Sequence, residues 1–395
     1  LVMKKILFFL IIFLSSCSTT ERFLPGFTPD FITKYFKEEV KPYVGLPDFV
    51  KNTDVIKVWE KKLPGEINNE YSFLSMYKLG DRIFIPTDEN NIHIVSSETG
   101  ELKKTIDTGL DVFSGIIADS DLLYFGSKQD TITAIKQSDH KVIWQRLMSS
   151  EVMSISEVAN DVIYVVTNDS KITAIDINTG KFLWINSQIP SSLSIRGSSK
   201  PIISDDKVYV GFEDGRIVSY DSLSGDIIWQ NQLKSIRIET VIDRLNDIDG
   251  AMIIDNGILY AISYQGSLAA IDSFNGQVLW INEVSSIDGL AENDDNIFFL
   301  SDEGILKGVD KYTGKQKWKQ DQFFKRLIGT PVYYNDFILV SDVENYLHVF
   351  NSDSGIASGR MKLKNKIQSI YVEYDSLYTL DNELNLKKYN INKTK

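Results

Sequence analysis

Tryptophan recurs along this chain with a period near 40 residues, and a repeat of that length restricts the fold to an array of one small unit, stacked or closed into a ring. Trp59, Trp144, Trp184, Trp229, Trp280 and Trp318 each follow a run that turns and becomes extended again. Ala174-Ile-Asp-Ile-Asn-Thr-Gly180-Lys-Phe-Leu-Trp184 matches Ala270-Ile-Asp-Ser-Phe-Asn-Gly276-Gln-Val-Leu-Trp280, with glycine four residues before the indole. Gly225 with Trp229 and Gly314 with Trp318 repeat the pair, while Gly100 with Lys104 and Gly355 with Gly359 keep the glycine alone. His140 replaces the glycine ahead of Trp144. Positions 59, 104, 144, 184, 229, 280, 318 and 359 therefore mark eight units.

Each unit also carries an earlier pair of strands, over 82–95, 122–135, 162–175, 207–220, 258–271, 296–309, 337–350 and 376–389. These runs are rich in Val, Ile, Tyr and Phe and are broken by polar or glycine turns, as antiparallel hairpins require. In the Asp-x-x-x-Gly turns, Asp can bond its own backbone two residues on and Gly can take a positive φ. The pattern predicts an all-β fold, an eight-bladed β-propeller of four-stranded antiparallel blades, whose ring closure leaves only short strand edges. Ala174 and Ala270 let neighbouring sheets approach. The last unit ends before a tryptophan strand of its own, whereas Trp59 precedes the first hairpin, so the N-terminal strand is expected to complete the last blade.

Composition removes several classes of function. A chain with 43% apolar residues and 11% aromatics is not disordered, and a single Cys supports neither a disulfide framework nor a cysteine zinc site. The net charge of −12, without a basic run, argues against nucleic acid as a partner. Asp247-Ile-Asp249-Gly250 has Leu245 and Asn256 where a calcium loop needs carboxylates. No Gly-rich phosphate loop, Gly-x-Ser-x-Gly elbow or His-Glu-x-x-His is present. His93 and His348 fall at the same place in their repeats, which marks them as structural. The expectation is no catalytic residue, no metal and no cofactor.

Residues 3–17 read as a targeting segment: Lys4 and Lys5, an apolar run from Ile6 to Leu14, then Ser15, Ser16 and Cys17. That run is far shorter than the ~20 residues of a spanning helix. Leu14-Ser-Ser-Cys17 resembles a bacterial lipobox. The resemblance implies cleavage after residue 16, acylation of Cys17 and, since Ser18 is not Asp, delivery to the outer membrane. Acyl chains would hold the protein by hydrophobic transfer of their methylenes. Residues 17–53, with Pro25, Pro29, Pro42 and Pro47, read either as a tether holding the propeller off the bilayer or as a linker with incidental aromatics. The propeller is expected over 54–395.

Two connections depart most from the period. Trp184 to Trp229 takes 45 residues and Trp229 to Trp280 takes 51, against 40 from Lys104 to Trp144 and again to Trp184. Insertions on repeat scaffolds tend to carry function. Both follow a tryptophan strand, so both should emerge on one face in neighbouring blades. The first contains Leu193, Ile195 and Arg196, and the second Arg244, Asp247 and Asp249. From the residues alone two readings stand open: a binding patch centred on arginine and aliphatics, or a plugged rim in which Arg196 pairs internally with Asp247 or Asp249.

The repeats resemble those of pyrroloquinoline-quinone dehydrogenases, whose tryptophans dock on the adjacent blade. That resemblance would imply a calcium site, a base and a vicinal disulfide, and no Cys follows Cys17. The lipobox, the eight repeats, Leu193-Ser-Ile-Arg-Gly197 and Ile242-Asp-Arg-Leu-Asn-Asp-Ile-Asp249 together resemble the BamB family of outer-membrane lipoproteins that serve β-barrel assembly. The resemblance implies a non-enzymatic scaffold on the periplasmic face of the cell outer membrane. It implies that Leu193, Ile195, Arg196, Asp247 and Asp249, and more weakly Arg244, contact the periplasmic domains of the barrel subunit BamA. Unfolded outer-membrane precursors are a further expected partner. The alternatives are a quinoprotein-like periplasmic enzyme and an adhesive or ligand-binding propeller.

Overall fold

The apolar runs of each repeat become paired strands because their side chains can be buried on both faces only when sheets stack. The computed structural model describes residues 43–394 except 66, 68–74, 190–198, 213, 234–251, 265 and 287. These residues form eight four-stranded antiparallel sheets, with no helix among them. Blades 1 to 7 cover 77–107, 112–147, 152–187, 202–232, 253–284, 290–320 and 327–362, each with its strands in chain order. Blade 8 takes three strands from 367–393 and its fourth, Thr53–Lys62, from the other end of the chain. That strand runs antiparallel to Asn385–Lys393, from Thr53 opposite Lys393 to Lys62 opposite Asn385. First strands of neighbouring blades approach one another, so they line the axis and the fourth strands form the rim.

Tryptophan joins the blades. In blades 2 to 6 the rim indole donates to a carbonyl in the next blade: Trp144 to Ile177 at 2.6 Å, Trp184 to Ser222 and Trp229 to Ser273 at 2.9 Å, Trp280 to Lys311 at 3.0 Å and Trp318 to Ser352 at 2.8 Å. Each indole lies flat against the glycine of that turn. A Cβ placed on Gly180, at φ +67°, would come within 2.6 Å of Trp144. Two residues past the indole a second donor reaches the glycine carbonyl, as from Arg146 to Gly180 at 2.8 Å and from Asn186 to Gly225 at 3.1 Å. Ala174 and Ala270 are fully buried between sheets.

The folded unit starts at Val44, ten residues before the boundary read from the sequence, so 44–53 belongs to the propeller rather than to a tether. A buried arginine just before blade 7 and a half-buried one on its rim account for this. Arg326, 1% exposed, donates to Asp342 at 2.8 Å, to the Val44 carbonyl at 3.2 Å and to Glu344. Arg360 donates to the Pro47 carbonyl at 2.8 Å and lies 4.8 Å from the centre of the Phe49 ring. Between them sits His348, whose Nε2 is 2.8 Å from Asp342 and whose Nδ1 accepts from Arg360 at 3.3 Å. His93 is likewise tied to Thr105 and to the Pro64 carbonyl, both at 2.9 Å. Both histidines are held by structural partners.

Candidate functional site

The two long connections leave the rim strand of one blade and enter the first strand of the next. One runs from Phe182–Ser187 to Ile202–Ser204, and the other from Ile227–Gln232 to Ile253–Asp255. The sequence-predicted partner residues lie outside the described residues: Leu193, Ile195 and Arg196 within 190–198, and Arg244, Asp247 and Asp249 within 234–251. Cys17 also lies outside them.

What is described is the base from which both connections depart. Arg216, on the second hairpin strand of blade 4, donates to Gln188 Oε1 at 3.0 Å and to the Ile189 carbonyl at 2.6 Å, and its Nε is held by Asp214. Gln188 in turn donates to the Tyr220 hydroxyl at 3.1 Å. At the far end, Ser199 accepts the Gly211 amide at 2.9 Å, and its carbonyl accepts from the Ser154 hydroxyl at 3.1 Å. The first connection is thus pinned where it leaves blade 3 and where it enters blade 4. The second begins at Leu233, whose amide donates to the Gly215 carbonyl at 2.8 Å, and ends at Met252; both side chains are buried. Gly215 and Arg216 share one hairpin turn, so that turn anchors both departures. Sequence reasoning missed Arg216 and Gln188, because neither stands out until the hairpin turn is laid beside the rim strand before it.

The connection between blades 5 and 6 adds a titrating group. Burial pushes the Asp288 carboxyl up to about 6, opposed only by a hydrogen bond from the Gly329 amide. Burial raises the Tyr220 hydroxyl as well. Among the described residues, no group of three His, Cys, Asp or Glu side chains could hold a metal ion.

The rims of blades 2 to 5 form a second feature that the sequence reading passed over. Every rim strand carries a bulge at the residue before the tryptophan position, and in these four blades the bulged residue is Ile143, Leu183, Ile228 or Leu279. Each is 43–48% exposed. In blades 1 and 6 the same position is Lys103 or Lys317, in blade 7 it is the buried Ser358, and in blade 8 it is Val58, 49% exposed beside Lys57.

Comparison with known proteins adds the relationship. A family model described as outer membrane protein assembly factor BamB matches residues 88–320. The chain is 27% identical over 332 residues to the Yersinia pestis protein named outer membrane protein assembly factor BamB, covering 81% of this chain and 84% of that one. It is 26% identical over 354 residues to the Escherichia coli K12 protein of the same name, covering 84% and 86%. Among solved structures, BamB from Moraxella catarrhalis superposes with a TM-score of 0.76 at 23% identity, over 85% of this chain and all of that one. A quinohemoprotein alcohol dehydrogenase from Pseudomonas putida HK5 superposes at 0.65 with 11% identity, covering 86% of this chain and 77% of that one, a likeness of fold alone.

Proposed function

Since this chain belongs to the family of outer membrane protein assembly factors BamB, we propose that it is a non-enzymatic scaffold of outer-membrane β-barrel assembly, held to the periplasmic face of that membrane through lipid on Cys17. Its partner is the periplasmic part of the barrel subunit BamA. Leu193, Ile195 and Arg196 from one connection, with Asp247 and Asp249 and secondarily Arg244 from the next, form the contact. Unfolded barrel precursors are its second class of partner. The observation that carries this reading is the family match, which runs through both departures from the repeat period.

A charge pair buried in such an interface loses about 2–5 kcal/mol when one member is removed. The test is co-purification of BamA from detergent-solubilised envelopes with the native protein and with an Arg196→Ala, Asp247→Arg variant whose circular dichroism and melting match the native protein. Loss of BamA from the folded variant alone supports both the function and the surface. Retention by both overturns the residue assignment. Capture by neither overturns the partner.

A further inference from the structure

In blades 1 to 7 the strands run antiparallel in chain order, so the turns after the first and third strands lie on one face of the ring and the connections between blades on the other. The turn face is therefore opposite the two long connections. After the third strand the turn is held by its first residue, since the amides of Leu223, Phe274 and Tyr312 donate to Asp221, Asp272 and Asp310 at 3.0, 2.9 and 3.2 Å. The same bond runs from Asp353 to Asn351 at 3.1 Å in blade 7, so the third position of the turn requires no particular side chain. Blades 1, 2, 3 and 7 place Glu98, Ser138, Asn178 and Asp353 there. Blades 4, 5 and 6 place Leu223, Phe274 and Tyr312, which are 85%, 74% and 55% exposed. Ile356, just past the blade 7 turn, and Tyr374, in the first turn of blade 8, are exposed on this face too. The described turns of blades 1 to 3 on this face expose no large apolar side chain. Apolar tips at one position in three neighbouring blades, with no part in the core, mark a contact surface.

These tips stand in an acidic field. The turns of this face in blades 4 to 6, residues 204–207, 221–226, 255–258, 272–277, 292–296 and 310–315, hold ten Asp and Glu against three Lys, a surplus of seven negative charges. Of the three, Lys311 is buried, 2% exposed, against Asp255 and Glu292. Lys207 of blade 4 lies over the Phe274 ring of blade 5, its ammonium 4.9 Å from the ring centre. A cation of the chain itself is thus already seated on one of the tips. We infer that the turn face of blades 4 to 6 docks a cationic segment of a partner protein that carries spaced apolar side chains. Its apolar groups meet Leu223, Phe274 and Tyr312, and its lysines or arginines meet the surrounding carboxylates. Charge decides among the occupants. The surplus repels an anionic lipid surface and equally repels the same face of a second copy, and a neutral segment would gain nothing from the carboxylates. The inference goes beyond the assembly reading, whose proposed contact residues belong to the connections on the other face.

The test uses the full chain and two variants. Leu223→Asn, Phe274→Asn, Tyr312→Asn together copy the residue that blade 3 carries at that place, and Phe274→Asn alone replaces the triple variant if its melting departs from the native protein. Asp205→Asn, Asp206→Asn, Asp294→Asn, Asp295→Asn together lower the surplus without touching the tips. Fluorescence anisotropy would follow a labelled peptide of lysine with leucine at every third or fourth place, the same peptide with serine for leucine, and the same with glutamate for lysine. The native protein should bind the lysine–leucine peptide at least about fivefold more tightly than the lysine–serine one, and the tip variant should lose that preference. The charge variant should weaken both cationic peptides, as should raising salt from about 50 to about 300 mM. A tip variant that binds the lysine–leucine peptide as tightly as the native protein overturns the inference, because the attraction would then be to overall charge alone. Unchanged binding by the charge variant, tighter binding of the glutamate peptide, or no binding to the native protein overturns it too. So does self-association, or binding to phosphatidylglycerol vesicles, that the tip variant abolishes while the peptide is unaffected. BamA co-purification keeps the two proposals apart: a folded tip variant should retain BamA, and its loss would assign this face to that contact and overturn the inference. Peptide binding decides the inference whether or not the native protein captures BamA.

Discussion

Lys104 of blade 1 donates its ammonium to the Ser138 carbonyl of blade 2 at 3.0 Å, reaching the turn that an indole reaches in five other blades. Two residues on, at φ 62°, stands His140 in place of glycine. The two departures from the repeat are one event. Glycine is required only where an indole lies on it, and blade 1 has no indole to press on blade 2. The same rule accounts for Gly359: the third and fourth strands of blade 8 come from opposite chain ends, so no turn exists for a blade 7 tryptophan to meet, and Thr53 lies against that glycine.

The pairing predicts strong coupling between these positions. Lys104→Trp alone should destabilise by about 1–3 kcal/mol, because the new ring meets the His140 Cβ in a packed joint. His140→Gly alone should change stability by less than about 1 kcal/mol, with relief of positive φ offset by unfolded-chain entropy. The double variant should recover most of the loss, giving an interaction energy above about 1 kcal/mol from urea denaturation. Additive effects would show that the joints are independent.

Two glycines of similar φ separate backbone strain from packing. Gly80, at φ +58°, has nothing near its absent Cβ, whereas Gly180 faces Trp144 at 2.6 Å. Gly80→Ala should cost about 1 kcal/mol, from left-handed backbone alone. Gly180→Ala should cost about 2–4 kcal/mol, since the indole must move off Ile177 as well. Trp144→Phe in the Gly180→Ala background should recover part of the difference, read as the midpoint of urea unfolding.

Asp288 predicts a pH dependence whose sign can be worked out. Its folded pKa, raised by burial to about 6, exceeds the unfolded value, so between about pH 4 and 6 the folded state binds more protons. The penalty is absent below the unfolded pKa and complete above pH 6. Asp288→Asn keeps an acceptor for the Gly329 amide and removes the charge, so it should stabilise the protein by about 1–3 kcal/mol at pH 7.5. Near pH 4 the two proteins should be equally stable by urea titration. An unchanged difference across that range would show that Asp288 is ionised without cost.

The repeat was legible because the Trp and Gly pair is a local packing solution found at six of the eight joints, and the two losses still preserve spacing. The hairpins followed from runs rich in β-branched and aromatic residues between turn residues, as 122–135 shows against the strands Leu122–Ser127 and Thr131–Lys136, each buried almost throughout. The Arg326, Asp342, His348 and Arg360 cluster was not legible, because ionisable residues from one turn and three strands look exposed until the neighbouring strands pack around them. Nor was the boundary at Val44, whose attachment uses backbone carbonyls that carry no sequence signal. At the rim, the bulge residues Ile143, Leu183, Ile228 and Leu279 carry no signal of their own in the sequence, since only the strand register shows which position is unpaired.

The attachment of 44–52 to blade 7 yields the last prediction. Two chains, one lacking residues 1–43 and one lacking 1–52, differ by the segment that supplies the Val44 and Pro47 carbonyls and the Phe49 ring. Without it, the buried Arg326 and the half-buried Arg360 each lose one acceptor, and hydrogen bonds to charged groups contribute about 1.5–3 kcal/mol each. Arg326 keeps Asp342 and Glu344, so the loss should fall mainly on Arg360, whose remaining nitrogen partner is His348. The longer truncation should therefore be less stable than the shorter by about 2–4 kcal/mol, and Arg360→Met should narrow that gap by removing the stranded charge. Equal unfolding midpoints for the two truncations would mean that water replaces both carbonyls without cost, and the propeller would then begin at its first strand, Thr53–Lys62.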